Sequence, residues 1–232
     1  MLRPNVHIIN HVGRFASRRV AGEILATHVA AHVRAHNLEN IVVLGLPKGG
    51  IVVAAPIAHA LGVPLDFVVT RKLFAPHQPQ LAIGAITDPG RAFLNKPVID
   101  ALGITDAYIE EEIEREKQEI QMATGAYRSV LPSTSLVGKT VIVADDNVIT
   151  GSTMFATLRG LWAERPNNIV LAIPIAPRDT LISLSEFADS MIALQAPANS
   201  FSSMVDYYDE YEPVTDQDVM AILHQFVAEM AF

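Results

Sequence analysis

The sequence of 232 residues predicts an α/β protein, a parallel sheet with helices on both faces. Three observations carry that prediction. Short runs of Val, Ile, Leu and Ala alternate with helix-length segments, the pattern that builds βαβ units. The run Val141 to Ala144 is short and apolar throughout, as a strand buried on both faces is. Half the residues are hydrophobic while 6% are aromatic and 18% charged, a composition suited to a large aliphatic core.

The elements follow in order. Arg18 to His36 is predicted as a helix from the spacing of Val20, Ile24, Ala26, Ala30 and Val33, with Ser17 as its cap. Residues 37–40 turn into a buried strand, Ile41 to Gly45. The sharp turn Leu46-Pro47-Lys48-Gly49-Gly50 leads to a helix, Ile51 to Leu61, closed by Gly62. Pro64 to Thr70 is a second strand with Arg71 and Lys72 at its C-terminal end. Two prolines, a histidine and a glutamine make Leu73 to Pro79 a mobile loop. Leu81 to Thr87 and Ala92 to Leu94 form a hairpin around Asp88-Pro89-Gly90.

Thr105 to Ala126 is the longest helix, capped by Thr105, and its Glu110 to Glu119 face reads as solvated and laced with i,i+4 pairs. After a linker, 129–139, come the strand Val141 to Ala144 and the helix Thr153 to Ala163. Asn168 to Ile175 is a strand, Arg178 to Phe187 a helix and Ser190 to Leu194 a strand. An aromatic and acidic tail, Phe201 to Pro213, precedes a last helix, Thr215 to Met230. The whole is expected to be one domain, 1–232.

Composition excludes several functions. A net charge of −8 opposes non-specific nucleic-acid binding, which needs Lys and Arg on phosphates. Without cysteine there is no disulfide, thiolate metal site or Cys nucleophile. The N-terminus shows no signal pattern, and no apolar stretch reaches the roughly 20 residues of a membrane span. A cytoplasmic protein, with neither nucleic acid nor membrane as partner, is the expectation.

The chemistry concentrates in Val141 to Thr153. A β-branched strand ends in Asp145-Asp146, and Thr150-Gly151-Ser152-Thr153 opens a helix. Free N–H groups and hydroxyls at a helix N-terminus favour a phosphate, and the two carboxylates accept hydrogen bonds from a diol. The plain alternative is a helix cap in a solvated turn. The order of the parts favours a sugar phosphate. In parallel sheets ligands sit outside the carboxyl ends of strands, and three unusual segments are expected there: Pro47 to Gly50, Arg71-Lys72 and Asp145 to Thr153.

This stretch resembles the phosphoribosyl pyrophosphate signature of type I phosphoribosyltransferases. Phe15 to Ala26, Leu46 to Gly50, Arg71-Lys72-Leu73, Leu81 to Ala85, Pro174 to Pro177 and Pro213 to Asp216 resemble an uncharacterised bacterial branch of predicted phosphoribosyltransferases. The resemblance implies the type I phosphoribosyltransferase-like fold, with a lid within about 73–95 and a small hood from about 196 to 214 plus the C-terminal helix. It implies Mg²⁺-dependent transfer of 5-phosphoribosyl from its pyrophosphate to a nitrogenous base, in nucleotide metabolism. Asp145 and Asp146 would hold the ribose hydroxyls, and Thr150, Gly151, Ser152 and Thr153 the 5-phosphate. Lys48, Gly49 and Gly50 would form the pyrophosphate loop, often with a non-proline cis peptide, approached by Arg71 and Lys72. The catalytic set is then Asp145, Asp146, Lys48 and Arg71. Mg²⁺ would bridge pyrophosphate and ribose, with no protein side chain assigned as its direct ligand, and a homodimer is compatible.

Two positions depart from the pattern. Where purine-type members carry an Asp before Thr-Gly this chain has Ile149, and Gln80 stands where this branch has an acid. Phe201, Tyr207, Tyr208 and Tyr211 could stack a base in the hood or pack the last helix. His28, His32 and His36 share a helix face and read as solvated or packing rather than metal-binding, and His77 as a solvated loop residue. The rival functions are a sensor that binds the same sugar without turnover, and a phosphohydrolase.

Overall fold

The computed structural model of the protein describes residues 3–88, 91–198 and 204–230. Nine strands and seven helices lie within these residues. Six strands form one sheet: β1 (Val6–Ile8), β2 (Ile41–Gly45), β3 (Leu65–Phe67), β7 (Thr140–Ala144), β8 (Asn168–Ile175) and β9 (Ser190–Gln195). Their order is β1-β9-β8-β7-β2-β3, and every pairing is parallel. The expected fold class is therefore the observed one.

The continuous apolar runs have a simple cause. Alternate residues of each strand enter different cores. Val43, Ile142, Val170 and Ile192 join a core with the helices α1 (Arg18–Ala35), α2 (Gly49–Leu61) and α7 (Asp216–Met230). Val42, Val141, Val143, Leu171 and Met191 join the opposite core with α5 (Ser152–Ala163) and α6 (Arg178–Leu184). Ser17 caps α1 as expected, accepting a hydrogen bond from the Val20 N–H at 3.3 Å.

The chain leaves β2 for β3 on one side, and β7 returns on the other side of β2. Between β2 and β7 the strand order therefore reverses. The helices that follow these two strands, α2 and α5, lie on opposite faces, so a crevice opens at their carboxyl ends. The Leu46 N–H donates to the Ala144 carbonyl at 3.0 Å, fixing the two loops side by side.

A second, antiparallel sheet holds β4 (Thr70–Ala75), β5 (Gln78–Thr87) and β6 (Arg91–Leu94). With α3 (Lys96–Leu102) and α4 (Asp106–Val130) it packs a small core around Leu73, Ile83, Ile99 and Ile120. Arg128 near the end of α4 ties this unit to the main sheet. It pairs with Asp66 of β3 and, at 2.8 Å, with Asp88, and its guanidinium lies 3.7 Å over the Phe67 ring.

Several sequence expectations are corrected. Leu73 to Pro79 is not a loop: Leu73 and Ala75 are buried in β4, and the chain reverses at residues 76–77. Of the hairpin turn Asp88-Pro89-Gly90, residues 89–90 lie outside the described residues. The second strand stops at Phe67, so Arg71 and Lys72 lie in β4, beyond the main sheet. The Glu110 to Glu119 face is not wholly solvated, since Glu112 and Glu116 are 3% and 6% exposed. Strand β1, only three residues long, and helix α3 lie where no element is expected. Pro97 at the start and Gly103 at the end are the signals of α3. No helix among the described residues is long and apolar enough to cross a membrane.

Candidate functional site

The loop after β2 reaches the crevice first. Its Pro47–Lys48 peptide is cis, as the resemblance implies, and α2 begins directly at Gly49. A Cβ on Gly49 would stand 2.4 Å from Asp146 Oδ2, and one on Gly50 2.7 Å from the Ala144 carbonyl. These glycines let the loop lie against the acid pair itself.

Asp146 is built into the scaffold. Its Oδ2 accepts from Arg18 Nε at 2.7 Å and from the Tyr211 hydroxyl at 2.8 Å, and its Oδ1 accepts from Asn147 Nδ2 at 3.0 Å. Its backbone carbonyl accepts from the Tyr208 hydroxyl at 2.7 Å. Its backbone N–H donates to Asp145 Oδ1 at 2.9 Å. Burial, then the charge of Asp146, pushes the Asp145 carboxyl well above the ordinary carboxylate range, opposed by Arg18. Burial and Asp146 push the Tyr211 hydroxyl up to about 12.

From Asn147 the loop returns along the neighbouring strand end. The Val148 N–H donates to the Ile175 carbonyl at 3.1 Å, and Thr180 Oγ1 donates to the Ile149 carbonyl at 2.8 Å. Gly151 turns the chain with φ +74 and starts α5 without a side-chain cap bond. Thr150, Ser152 and Thr153 are exposed around the free N–H groups of that first turn. Between this turn, Leu46-Pro47 and the acid pair lies a cavity of about 280 Å³. Asp145, Asp146 and Thr150 to Thr153 all line it, so the loops after β2 and β7 meet as expected.

The cations distribute differently. Lys48 Nζ bonds to Asp216 Oδ2 at 2.8 Å, at the start of α7, and Asp216 also accepts from the Tyr127 hydroxyl. These two bonds hold the Asp216 carboxyl below its ordinary range. Lys72 Nζ reaches Ser152 Oγ at 3.0 Å, at the phosphate-favouring turn. Arg71 instead bonds Glu116 of α4 at 2.7 Å, with Glu119 at 3.7 Å. Of the three cations expected together, Lys72 touches the α5 turn, Lys48 is tied to α7 and Arg71 to α4.

The aromatic tail also divides. Tyr208 is fully buried, its ring centroid 5.4 Å from that of Phe15, and it offers no face for a base. Tyr207 is half-buried and packs against the core, and Phe201 lies outside the described residues. Tyr211 stacks on Arg18, whose guanidinium lies 3.6 Å from the ring centroid. Arg18, Asn147 and Asp216 are the residues to which the sequence alone assigns no role. A signal exists for Arg18: cations are disfavoured in the first turn of a helix, where this one sits.

Two other clusters are separate from the crevice. A cleft of about 450 Å³ between α1, α2 and α7 is mostly apolar, and none of the expected site residues lines it. His32 is buried with its ring centroid 4.1 Å from that of His36 and 5.4 Å from that of His7, a packing arrangement. Among the described residues no group of three His or carboxylate side chains is placed to hold a metal ion.

Comparison with known proteins agrees with this geometry. Residues 18–210 match the family model described as a phosphoribosyl transferase domain. Proteins from two strains of Mycobacterium tuberculosis, named as candidate phosphoribosyl transferases, are 35% identical over 210 residues. The match covers 90% of this chain and 46% of theirs, so the chain spans about half the length of these relatives. A crystal structure of a Thermus thermophilus protein is similar with 36% identity and a TM-score of 0.80, over 92% of this chain and 99% of that one.

Proposed function

The chain belongs to the phosphoribosyl transferase domain family, and on that premise we propose that its crevice binds 5-phosphoribosyl pyrophosphate and transfers the phosphoribosyl group to a nitrogenous base. The observation that carries the proposal is the cavity in which the acid pair, Leu46-Pro47 of the loop after β2 and the open first turn of α5 meet. The three parts match a diol flanked by two phosphate groups.

The 5-phosphate would sit on the N–H groups and hydroxyls of Thr150 to Thr153, where the α5 dipole favours an anion and Lys72 adds a cation. The acid pair would face the ribose. Negative charge there favours the positive charge that develops on the ring as the bond from C1 to pyrophosphate lengthens. The pyrophosphate would lie on Lys48, Gly49 and Gly50, taking over the ammonium group that Asp216 holds. The acceptor nitrogen then forms the new bond to C1, and pyrophosphate leaves with the bonding electron pair. With Ile149 at the position next to Thr150, no carboxylate stands there to take the acceptor's proton, which passes to the departing pyrophosphate or to water.

Mg²⁺ fits this donor set. The crevice offers carboxylate and hydroxyl oxygens, the hard donors that suit a magnesium ion shared with substrate phosphates. When bound it would neutralise charge on the leaving pyrophosphate. The sheet β4-β5-β6, packed on α4, would serve as the lid, and Tyr207 with the tail after residue 204 as the hood.

A second reading, a sensor without turnover, is favoured by one observation. Lys48, Lys72 and Arg71 are all engaged by protein groups, Lys48 by the first residue of α7. Displacing Asp216 by pyrophosphate would signal binding to that helix. Pyrophosphate release, followed with Mg²⁺ and a panel of bases, separates the two. Turnover with any base supports the transferase, and tight calorimetric binding without release supports the sensor. Absence of binding removes both.

A further inference from the structure

The acid pair is not symmetrical, and the asymmetry has a visible cause. Both oxygens of Asp146 already accept hydrogen bonds, Oδ2 from Arg18 and Tyr211 and Oδ1 from Asn147. The side chain is 10% exposed, and that of Arg18 is 11% exposed. Both acids border the cavity, but among the described residues no salt bridge reaches Asp145, which engages the Asp146 N–H through Oδ1.

Arg18 itself is held on three sides. It donates to Asp146, donates through Nη1 to the Glu212 carbonyl at 2.8 Å, and lies on the Tyr211 ring. The chain before it pairs with the tail, the Phe15 N–H donating to the Tyr207 carbonyl and the Asp209 N–H to the Phe15 carbonyl, each at 2.8 Å. The start of α1, the tail and the second acid thus form one locked unit. An arginine in the first turn of a helix opposes the dipole, and the carboxylate of Asp146 offsets that cost.

We propose that Arg18 is a positioning residue which, with Tyr211, locks Asp146 into the scaffold, so that Asp145 carries most of the binding to the ribose diol and Asp146 adds little. The proposal rests on the sugar-binding reading above. It gives Asp146 a structural task, joining the acceptor-side tail to the donor-side turn. Arg18 also opposes the upward push on Asp145, so its loss makes that carboxyl harder to ionise.

Two measurements test this on the full chain. In calorimetry with phosphoribosyl pyrophosphate and Mg²⁺, Asp145→Asn should weaken binding about a hundredfold. Asp146→Asn should weaken it only a few-fold, with a lowered melting temperature. Arg18→Met should weaken it about tenfold, and Arg18→Lys should restore part of the loss. In carbon-13 carboxyl NMR, the Asp145 midpoint should move to higher pH in Arg18→Met and return toward wild type in Arg18→Lys.

Asp146→Asn losing the sugar as fully as Asp145→Asn, with an unchanged melt, overturns the division of labour. An Asp145 midpoint indifferent to Arg18→Met overturns the clamp. Should wild type fail to bind the sugar, the substrate reading and the ribose assignment fall together, and the NMR midpoint alone decides the clamp.

Discussion

Gly49 lies so close to Asp146 that a methyl group on it would stand 2.4 Å from Oδ2 and 2.5 Å from the carboxyl carbon. Asp146 cannot retreat, because Arg18, Tyr211 and Asn147 hold it. Gly49→Ala should therefore cost about 1–3 kcal/mol, the usual range for overpacking. It should also lower affinity for phosphoribosyl pyrophosphate by about tenfold or more, since the loop must move. Urea unfolding and calorimetry check the two effects, and wild-type values in both would refute the packing argument.

Arg128 is the cation that balances Asp66, which is 2% exposed in β3. Arg128→Met leaves that carboxylate buried without its partner and frees the Phe67 carbonyl at 3.1 Å. The expected loss is about 3–5 kcal/mol. A urea midpoint that falls with an unchanged slope would show that stability alone has changed. A loss under about 1 kcal/mol would mean that the pair is solvated.

Asp216→Asn removes the charge that holds Lys48. With the ammonium group released, inorganic pyrophosphate should bind a few-fold more tightly, while the melting temperature hardly changes. Calorimetry with pyrophosphate and Mg²⁺ checks it. Weaker binding would show that Asp216 presents Lys48 to the ligand rather than competing for it.

His32 gives a pH dependence of stability. Burial, then His36 and His7, lowers its pKa from 6.5 to about 4. The folded protein refuses a proton that the unfolded chain accepts, so stability is full above pH 6.5 and falls as the pH drops toward 4. Solvent screening reduces the roughly 3 kcal/mol of a shift this large to about 1–2 kcal/mol. His32→Gln should flatten this part of the curve, measured by urea midpoints from about pH 7 down to about 4. An unchanged slope would place the effect on other groups.

The elements legible in the sequence are those whose burial repeats locally. Ile41 to Gly45, Val141 to Ala144 and Ile169 to Ile175 feed both cores, which favours apolar residues on both faces, and their strands appear where expected. Leu73 to Pro79 does not read as strand because β4 and β5 bury only alternate or scattered positions of a small sheet. The three-residue β1 carries too little pattern for recognition, and it exists because β9 offers it an edge.

The fold class, the acid pair and the phosphate-favouring turn are legible in the chain, because these depend on neighbours close along it. The family followed from the same stretch. Which carboxylate is engaged depends on packing, since Arg18 and Tyr211 lie 128 and 65 positions away from Asp146. Packing also sends Lys48 to Asp216 and Arg71 to Glu116, 168 and 45 positions away. A side chain's charge is written locally, but what neutralises it depends on which distant segments the packed sheet and helices bring within hydrogen-bond reach.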